Sequence, residues 1–372
     1  MPTRRDLLAG LGATAAAGVA GCVQIGSSGS APAAGDADTA TAVGTESEAA
    51  AADQPADATS TAVYESTIQS VVGVLNYGRN GPQGSGSGFV AGDGYVVTNQ
   101  HVVAGATEVK LRFQGNEWHD AEIVGTDAYS DLAVLRADER PDSATPLSWV
   151  DTDPEPPVGT SVMAIGSPYG FSGSASTGII SGVDRVLSAP NNFTVADSVQ
   201  TDAALNPGNS GGPLVTFEGE VAAVAARGGG DNIGFGVSAE LSKRVVPELA
   251  ETGDYAHPFM GVRLLEVSPV IAEAYDLDDV GGVLIVEVRE DGPAAGTLEG
   301  SDDETVVDGV QVPTGGDVIV GIGGTDVAVQ ADLSNYLALE TSPGDEVEFT
   351  VVRDGRESTV SFELGERPDP GL

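Results

Sequence analysis

The segment Asp202-Ala203-Ala204-Leu205-Asn206-Pro207-Gly208-Asn209-Ser210-Gly211-Gly212-Pro213-Leu214 sets one serine among closely spaced glycines. A nucleophilic serine needs an exposed hydroxyl and backbone N–H groups that converge where a carbonyl oxygen becomes an oxyanion. Glycines on both sides let a loop turn tightly enough to supply both. Gly208 and Ser210 are the expected N–H donors. Taken alone, Gly-x-Ser-Gly also describes a glycine-rich β-turn with an incidental serine, so its meaning depends on the base and acid that accompany it.

The chain has three histidines to supply the base: His101, His119 and His257. His101 follows the strand-like Tyr95-Val96-Val97-Thr98, which places it at a strand end. His119 sits in the charged turn Glu117-Trp118-His119-Asp120 and reads as an exposed surface residue, and His257, before Pro258, reads as part of a linker. An imidazolium needs a carboxylate to set its tautomer and stabilise its charge. Asp131 opens the apolar run Leu132-Ala133-Val134-Leu135 and suits that task. The order His101, Asp131, Ser210 is that of the chymotrypsin arrangement, whereas subtilisin-like chains run Asp, His, Ser and α/β-hydrolases run Ser, Asp, His.

Around these residues, glycine-punctuated alternation predicts an all-β domain over residues 63–250. Expected strands lie at 86–90, 95–98, 108–113, 121–124, 132–136, 161–165, 176–183, 198–201, 213–216, 221–227 and 233–237, followed by a closing helix at 239–249. Many short strands favour a barrel or sandwich over a parallel sheet. Residues 257–365 read as a second, α+β unit with strands at 283–288, 318–322, 347–352 and 358–363. Short helices are expected there at 270–275 and 331–339, with residues 299–317 as a polar surface loop and 366–372 as a tail. Asp354-Gly355 is a hairpin signal.

The stretches Gly84-Ser85-Gly86-Ser87-Gly88-Phe89-Val90, Thr98-Asn99-Gln100-His101-Val102-Val103, Ser130-Asp131-Leu132-Ala133-Val134-Leu135, Ala164-Ile165-Gly166-Ser167-Pro168, Asn232-Ile233-Gly234-Phe235-Gly236-Val237 and the Ser210 block together resemble the HtrA/Deg family of serine proteases. The resemblance implies a chymotrypsin-like pair of six-stranded β-barrels with a cleft between them. It also implies a trimer, and the short segment 76–84 disfavours larger cages built on a long loop there. By analogy, Phe235 and residues 225–228 line a specificity pocket for small aliphatic side chains. The second unit resembles a PDZ domain: Phe259-Met260-Gly261-Val262 matches the carboxylate-binding loop, and Gly292-Pro293-Ala294-Ala295 and Gly315-Gly316-Asp317-Val318-Ile319 match its core pattern. Such a loop captures a peptide C-terminus with backbone N–H groups while the peptide adds a strand to a sheet edge.

Composition narrows the partners. Sixteen Lys plus Arg against 56 Asp plus Glu leave a formal charge of −40, with acids spread from Asp36 to Asp369. A phosphate backbone or an anionic membrane surface is repelled by such a chain, so nucleic acid is excluded as a partner. The acidity resembles that of halophilic proteins, in which salt screens the self-repulsion. Cys22, the single cysteine, excludes an intrachain disulfide and a multi-thiolate zinc site. No metal, nucleotide or other cofactor is suggested.

Residues 1–21 carry Arg4-Arg5 before an apolar run too short to span a bilayer. They resemble a twin-arginine export signal that ends in a lipoprotein cleavage box, Val19-Ala20-Gly21-Cys22, with Cys22 lipidated. The chain is then expected on the extracytoplasmic face of the cell membrane, held by a disordered acidic tether over 22–62. The expected function is an exported endopeptidase for unfolded or damaged proteins, with His101, Asp131 and Ser210 as triad. The competing reading is a PDZ-bearing holdase or scaffold whose protease fold is latent.

Overall fold

In the computed structural model, which describes residues 59–371 apart from 93, 168–172, 190–192, 231 and 278–279, the alternating runs of the first half close into two barrels. The first is built from β1 (Val71–Gly78), β2 (Gly81–Ala91), β3 (Tyr95–Thr98), β4 (Glu108–Arg112), β5 (Trp118–Asp127) and β6 (Leu132–Ala137), in the order β1-β2-β3-β6-β5-β4. The second uses β7 (Ser161–Gly166), β8 (Ser174–Ser188), β9 (Thr194–Thr201), β10 (Pro213–Thr216), β11 (Val221–Gly230) and β12 (Ile233–Ser238), in the order β10-β11-β12-β9-β8-β7. Each barrel fills its own interior, the first with Val72, Val74, Leu111 and Leu135, the second with Val162, Ile180, Val199 and Leu214. A further apolar layer, including Phe89, Leu132, Met163, Ile165 and Val224, lies where the barrels meet and holds them as one body. Closing a sheet removes its edges, and burying the layer between the barrels stabilises their mutual orientation by roughly 25 cal/mol per Å² of apolar surface.

A strand before residue 76 was expected without bounds, and β1 supplies it at Val71–Gly78. Its sequence, Val-Val-Gly-Val-Leu-Asn-Tyr-Gly, does not alternate because the barrel interior and the inter-barrel layer bury both of its faces. It joins β2 in a hairpin whose pairing continues to Gly78 and Gly81, so the connection is even shorter than the sequence suggests. Before it, α1 (Ser60–Thr67) overturns the last part of the tether expectation. Thr59 caps its N-terminus by accepting from Ala62 N–H, and Val63 is buried. The signal segment, Cys22 and the remainder of the tether lie outside the described residues. A one-turn helix, α2 (Gln100–Val103), follows β3. The closing helix α3 (Ala239–Glu251) is capped by Ser238 and buries Leu241, Val245 and Leu249.

The α+β unit has a sheet in the order β14-β15-β18-β20-β21, made of β14 (Val262–Glu266), β15 (Val283–Val288), β18 (Val318–Ile322), β20 (Glu346–Arg353) and β21 (Arg356–Glu363). The short β19 (Thr325–Asp326) pairs with β18, and β13 (Pro258–Phe259) pairs with β22 (Gly365–Glu366). Two helices, α4 (Pro269–Ala274) and α5 (Gln330–Glu340), complete it. The stretch expected as a surface loop is instead a hairpin of β16 (Asp303–Val307) and β17 (Val310–Thr314). Asp308 and Gly309 both have positive φ, 49° and 81°, which matches the right-handed strand twist of a two-residue turn. Val312 anchors the hairpin in a buried cluster. No helix among the described residues is long and apolar enough to cross a membrane.

Candidate active site

His101 and Asp131 are brought together by the loop between β5 and β6. The carbonyl of Asp131 accepts from Gln100 N–H at 3.0 Å and from Asn99 Nδ2 at 3.0 Å. Its carboxylate accepts from His101 N–H at 3.0 Å and faces His101 Nδ1 at 2.8 Å through Oδ2 and 3.0 Å through Oδ1. Asp131 is fully buried, so these bonds replace the water its charge would otherwise hold. They also place the proton on Nδ1 and leave Nε2 as the basic nitrogen of a neutral ring. Asp131 reaches this position at φ 57°, a left-handed conformation that Asp adopts more readily than most residues. The loop is fixed at its start by Asp127, whose carboxylate accepts from Tyr129 N–H at 3.0 Å, Ser130 N–H at 2.9 Å and His257 Nε2 at 2.7 Å. Burial opposes the charge of Asp127, but the bond and charge of His257 with the Ser130 and Tyr129 bonds outweigh it and hold the carboxyl below its usual range.

Ser210 sits where the 206–212 turn passes between the barrels. Asn209 N–H bonds Asn206 O at 2.9 Å, Gly212 N–H bonds Asn209 O at 2.9 Å and Gly211 N–H bonds Ala225 O at 2.7 Å. A Cβ on Gly211 would lie 2.2 Å from the carbonyl oxygen of Ser87 and from Thr98 Oγ1, so only glycine fits this approach. Among the described residues, the N–H groups of Gly208 and Ser210 bond no carbonyl. The Ser210 hydroxyl donates to Ala226 O at 2.7 Å, and no hydrogen bond joins it to His101 among the described residues. The structure thus places all three triad candidates, with the His–Asp pair formed and the serine hydroxyl turned to a backbone carbonyl.

The residue that ties the two barrels to this turn is Ser87, a role its sequence motif did not signal. Its N–H donates to Ser210 O at 2.8 Å and its hydroxyl donates to Gly208 O at 2.6 Å. The same hydroxyl accepts from Ser167 N–H at 2.8 Å, and its carbonyl accepts from Thr98 Oγ1 at 2.7 Å. In the sequence it is marked only by its place in the Gly84-Ser85-Gly86-Ser87-Gly88 run. Beside the turn, Leu205 packs against the backbone: a Cβ on Gly234 would lie 2.8 Å from its side chain, and one on Gly228 2.9 Å from its carbonyl oxygen. Leu205 thus joins the neighbourhood expected for the specificity pocket.

The other histidines depart from expectation. His119 is half-buried, its ring edge-on to Phe113 at 5.5 Å, because β5 pairs with β4 and sets it opposite Leu111. His257 is buried with its Nε2 2.7 Å from Asp127 Oδ2, rather than a passive linker residue.

Phe259, Met260, Gly261 and Val262 border a cavity of about 370 Å³ between the α+β unit and the barrels. Its other walls include Gln330, Ser334 and Leu337 of α5 and Tyr129, Thr194 and Ala196 of the barrels. Gly261 takes φ 79°, and the N–H groups of Met260 and Gly261 bond no carbonyl among the described residues. Asn335 of α5 accepts from Asp197 N–H at 2.8 Å, and Arg244 of α3 donates to Thr341 O at 2.9 Å, so this unit rests directly on the barrels. No group of three or more His, Cys, Asp or Glu among the described residues is placed to hold a metal.

Two closed barrels that share a cleft with a buried Asp–His pair and a glycine-flanked serine, followed by a domain with an open N–H loop, define a trypsin-like peptidase joined to a PDZ domain. Family models agree: a trypsin-like peptidase domain matches residues 86–224 and a PDZ domain matches residues 258–364. In sequence and fold the chain is similar to serine proteases of the HtrA type. It is 36% identical over 295 residues, 78% of this chain and 57% of the relative, to a probable periplasmic serine endoprotease DegP-like of Pseudomonas savastanoi pv. phaseolicola. It is 37% identical over 301 residues, 78% of this chain and 60% of the relative, to a protein of the same description from Hahella chejuensis. The chain thus spans about three-fifths of the length of these relatives. Among solved structures, the HtrA-type protease AlgW with a tripeptide matches 83% of this chain and 98% of its own, with a TM-score of 0.67 and 29% identity. The serine endoprotease from Yersinia pestis matches 85% of this chain and 100% of its own, with a TM-score of 0.59 and 26% identity.

Proposed function

We propose that this protein is an exported serine endopeptidase that cleaves unfolded or damaged polypeptides through an acyl-enzyme. The observation that carries the reading is the buried Asp131 on His101 Nδ1, set beside a serine turn with two open N–H groups. In the reaction, the Ser210 hydroxyl leaves the Ala226 carbonyl and turns to His101 Nε2. His101 takes its proton as the oxygen attacks the scissile carbonyl carbon. The N–H groups of Gly208 and Ser210 receive the oxyanion, worth roughly 3 kcal/mol for each donor. His101 returns the proton to the leaving amine nitrogen, and a water deprotonated by His101 then releases the acyl group. Asp131 orients His101 and stabilises the imidazolium without taking its proton.

The PDZ domain binds peptide or substrate C-termini at Phe259, Met260, Gly261 and Val262, a reading supported by the cavity and the open N–H groups there. The description of the relatives as periplasmic supports an extracytoplasmic place for the chain. Lipidation at Cys22, a trimer and adaptation to high salt complete the proposal, resting on residues 19–22, on the resemblance to HtrA-type proteases with a short hairpin after β1 that speaks against larger cages, and on the charge of −40.

Labelling with an active-site fluorophosphonate in molar salt tests the triad. Wild type is expected to take up label while Ser210→Ala and His101→Ala do not. A folded wild type that stays unlabelled points instead to the latent holdase, consistent with a serine hydroxyl left on Ala226.

A further inference from the structure

Cations are scarce in this chain, 16 against 56 acids, and a basic side chain has every opportunity to pair. Arg367, just beyond β22, does not pair with any carboxylate among the described residues. Its guanidinium lies over the ring of Tyr129, 3.7 Å from the centroid, while the backbone N–H of Arg367 donates to His257 O at 2.9 Å. Asp127 is close enough to act on the charge of Arg367, but its carboxylate is already taken by His257 and by the N–H groups of Tyr129 and Ser130. Burial pulls the guanidinium below the usual arginine range, the mark of a cation held away from water. Arg367 also lines the 370 Å³ cavity, as do Met260 and Gly261 with their unused N–H groups. A half-buried cation and two backbone N–H groups that bond no carbonyl among the described residues, all lining one cavity, make a seat for an anion.

We propose that Arg367 is a second anchor for the terminal carboxylate of the peptide bound in this cavity, so that the seat combines the Met260–Gly261 backbone with a side chain from beyond the last PDZ strand and a wall of the protease barrels. The inference rests on the reading of the PDZ domain as a binder of peptide C-termini. It adds a cation without a carboxylate partner among the described residues to a cavity whose other basic lining residue, Arg263, is paired with Glu287 at 3.2 Å. It also makes the seat composite: Tyr129, which carries the guanidinium, donates from its hydroxyl to Pro368 O at 2.7 Å and stands two residues before Asp131. A carboxylate at Arg367 therefore lies against the loop that orients the catalytic pair.

The test uses a fluorescein-labelled decapeptide ending in valine, made as the free acid and as the C-terminal amide. Both are titrated by anisotropy against the full chain in the same molar KCl. Wild type is expected to bind the acid at least about tenfold more tightly than the amide, as one ion pair is worth about that factor. Arg367→Ala is expected to lose most of this preference, through weaker binding of the acid with the amide held within about twofold. Arg367→Lys is expected to recover part of it, because it keeps the charge without the planar fork. Because the readout is the ratio of two ligands on one protein, a partly unfolded variant lowers both affinities and leaves the ratio interpretable. An Arg367→Ala protein with the wild-type ratio overturns the role of Arg367 and leaves the PDZ reading standing. A wild type that binds acid and amide alike, or neither, overturns the PDZ reading and this inference with it.

Discussion

Ser87 shows what a single side chain contributes without touching substrate. Its hydroxyl holds Gly208 O and receives Ser167 N–H, while its backbone holds Ser210. It therefore sets the plane of the peptide linking Gly208 to Asn209 and, with it, the pitch of the turn that presents the two oxyanion donors. Ser87→Ala removes the hydroxyl that donates to Gly208 O and accepts from Ser167 N–H, at about 1–3 kcal/mol of stability. It is also expected to lower kcat by about tenfold to a hundredfold, below the roughly hundred- to thousandfold expected for deleting an oxyanion donor. KM should change little, and steady-state kinetics on a protein shown to be folded would separate the two effects. A variant with wild-type kcat and a merely lowered Tm would reduce Ser87 to a packing residue. The triad candidates were legible in the sequence because each sits in its own short motif and their order along the chain has meaning. Ser87, Arg367 and the His257–Asp127 pair were not, because the partners that define them are 121, 238 and 130 residues away in sequence.

At the scale of elements, the contact of α5 with β8 and β9 is where the PDZ domain meets the second barrel, and it is built on acids. Asp197 of β9 is buried at 1% exposure, and its carboxylate accepts from the Ser238 hydroxyl that caps α3. Burial, reinforced by the charges of Glu240 and Asp184, pushes its carboxyl up to about 6 against the helpful Ser238 and Leu241 bonds. Glu155 is likewise raised to about 7, chiefly by burial and then by Asp197, Asp184 and Glu240. An acid with a raised folded pKa binds more protons folded than unfolded, so between about pH 4 and 6 it makes stability fall as pH rises. Asp197→Asn keeps an acceptor for Ser238 and tolerates the φ of 46° at this position. The variant is therefore expected to melt higher than wild type at pH 7.5, by on the order of 1–3 kcal/mol. The difference should vanish near pH 4, and thermal melts at several pH values would measure it. A constant difference across that range would place the effect in packing instead of charge. None of this could be read from the sequence, where Asp197 is one acid among many, whereas the hairpin at Asp354-Gly355 was legible from its own dipeptide. The β16–β17 hairpin carries an equally plain Asp308-Gly309, but its strands are mostly exposed and polar, so alternation gave no signal of a buried face.

For the whole molecule, the governing quantity is the formal charge of −40. The closed barrels and the inter-barrel layer supply ordinary cores; alternation pointed to a barrel or sandwich, and the pair of barrels was implied by the family resemblance. Net charge instead sets the conditions under which those cores suffice. At 0.1 M salt the screening length of about 10 Å lets neighbouring surface acids repel one another, and at 1 M it shrinks to about 3 Å. Folding brings dispersed carboxylates together, so the repulsion weighs on the folded state more than on the expanded one. The melting temperature is therefore expected to climb steeply between 0.1 and about 1 M KCl and then level off as screening saturates, with substantial loss of far-UV circular dichroism below the lower limit. A gain that continued linearly through several molar would instead reflect salting-out of apolar surface, which does not saturate in this way. Full secondary structure in dilute buffer, with a melting temperature indifferent to KCl, would show that the acids are spaced widely enough to be tolerated unscreened, and would withdraw the proposal of adaptation to high salt.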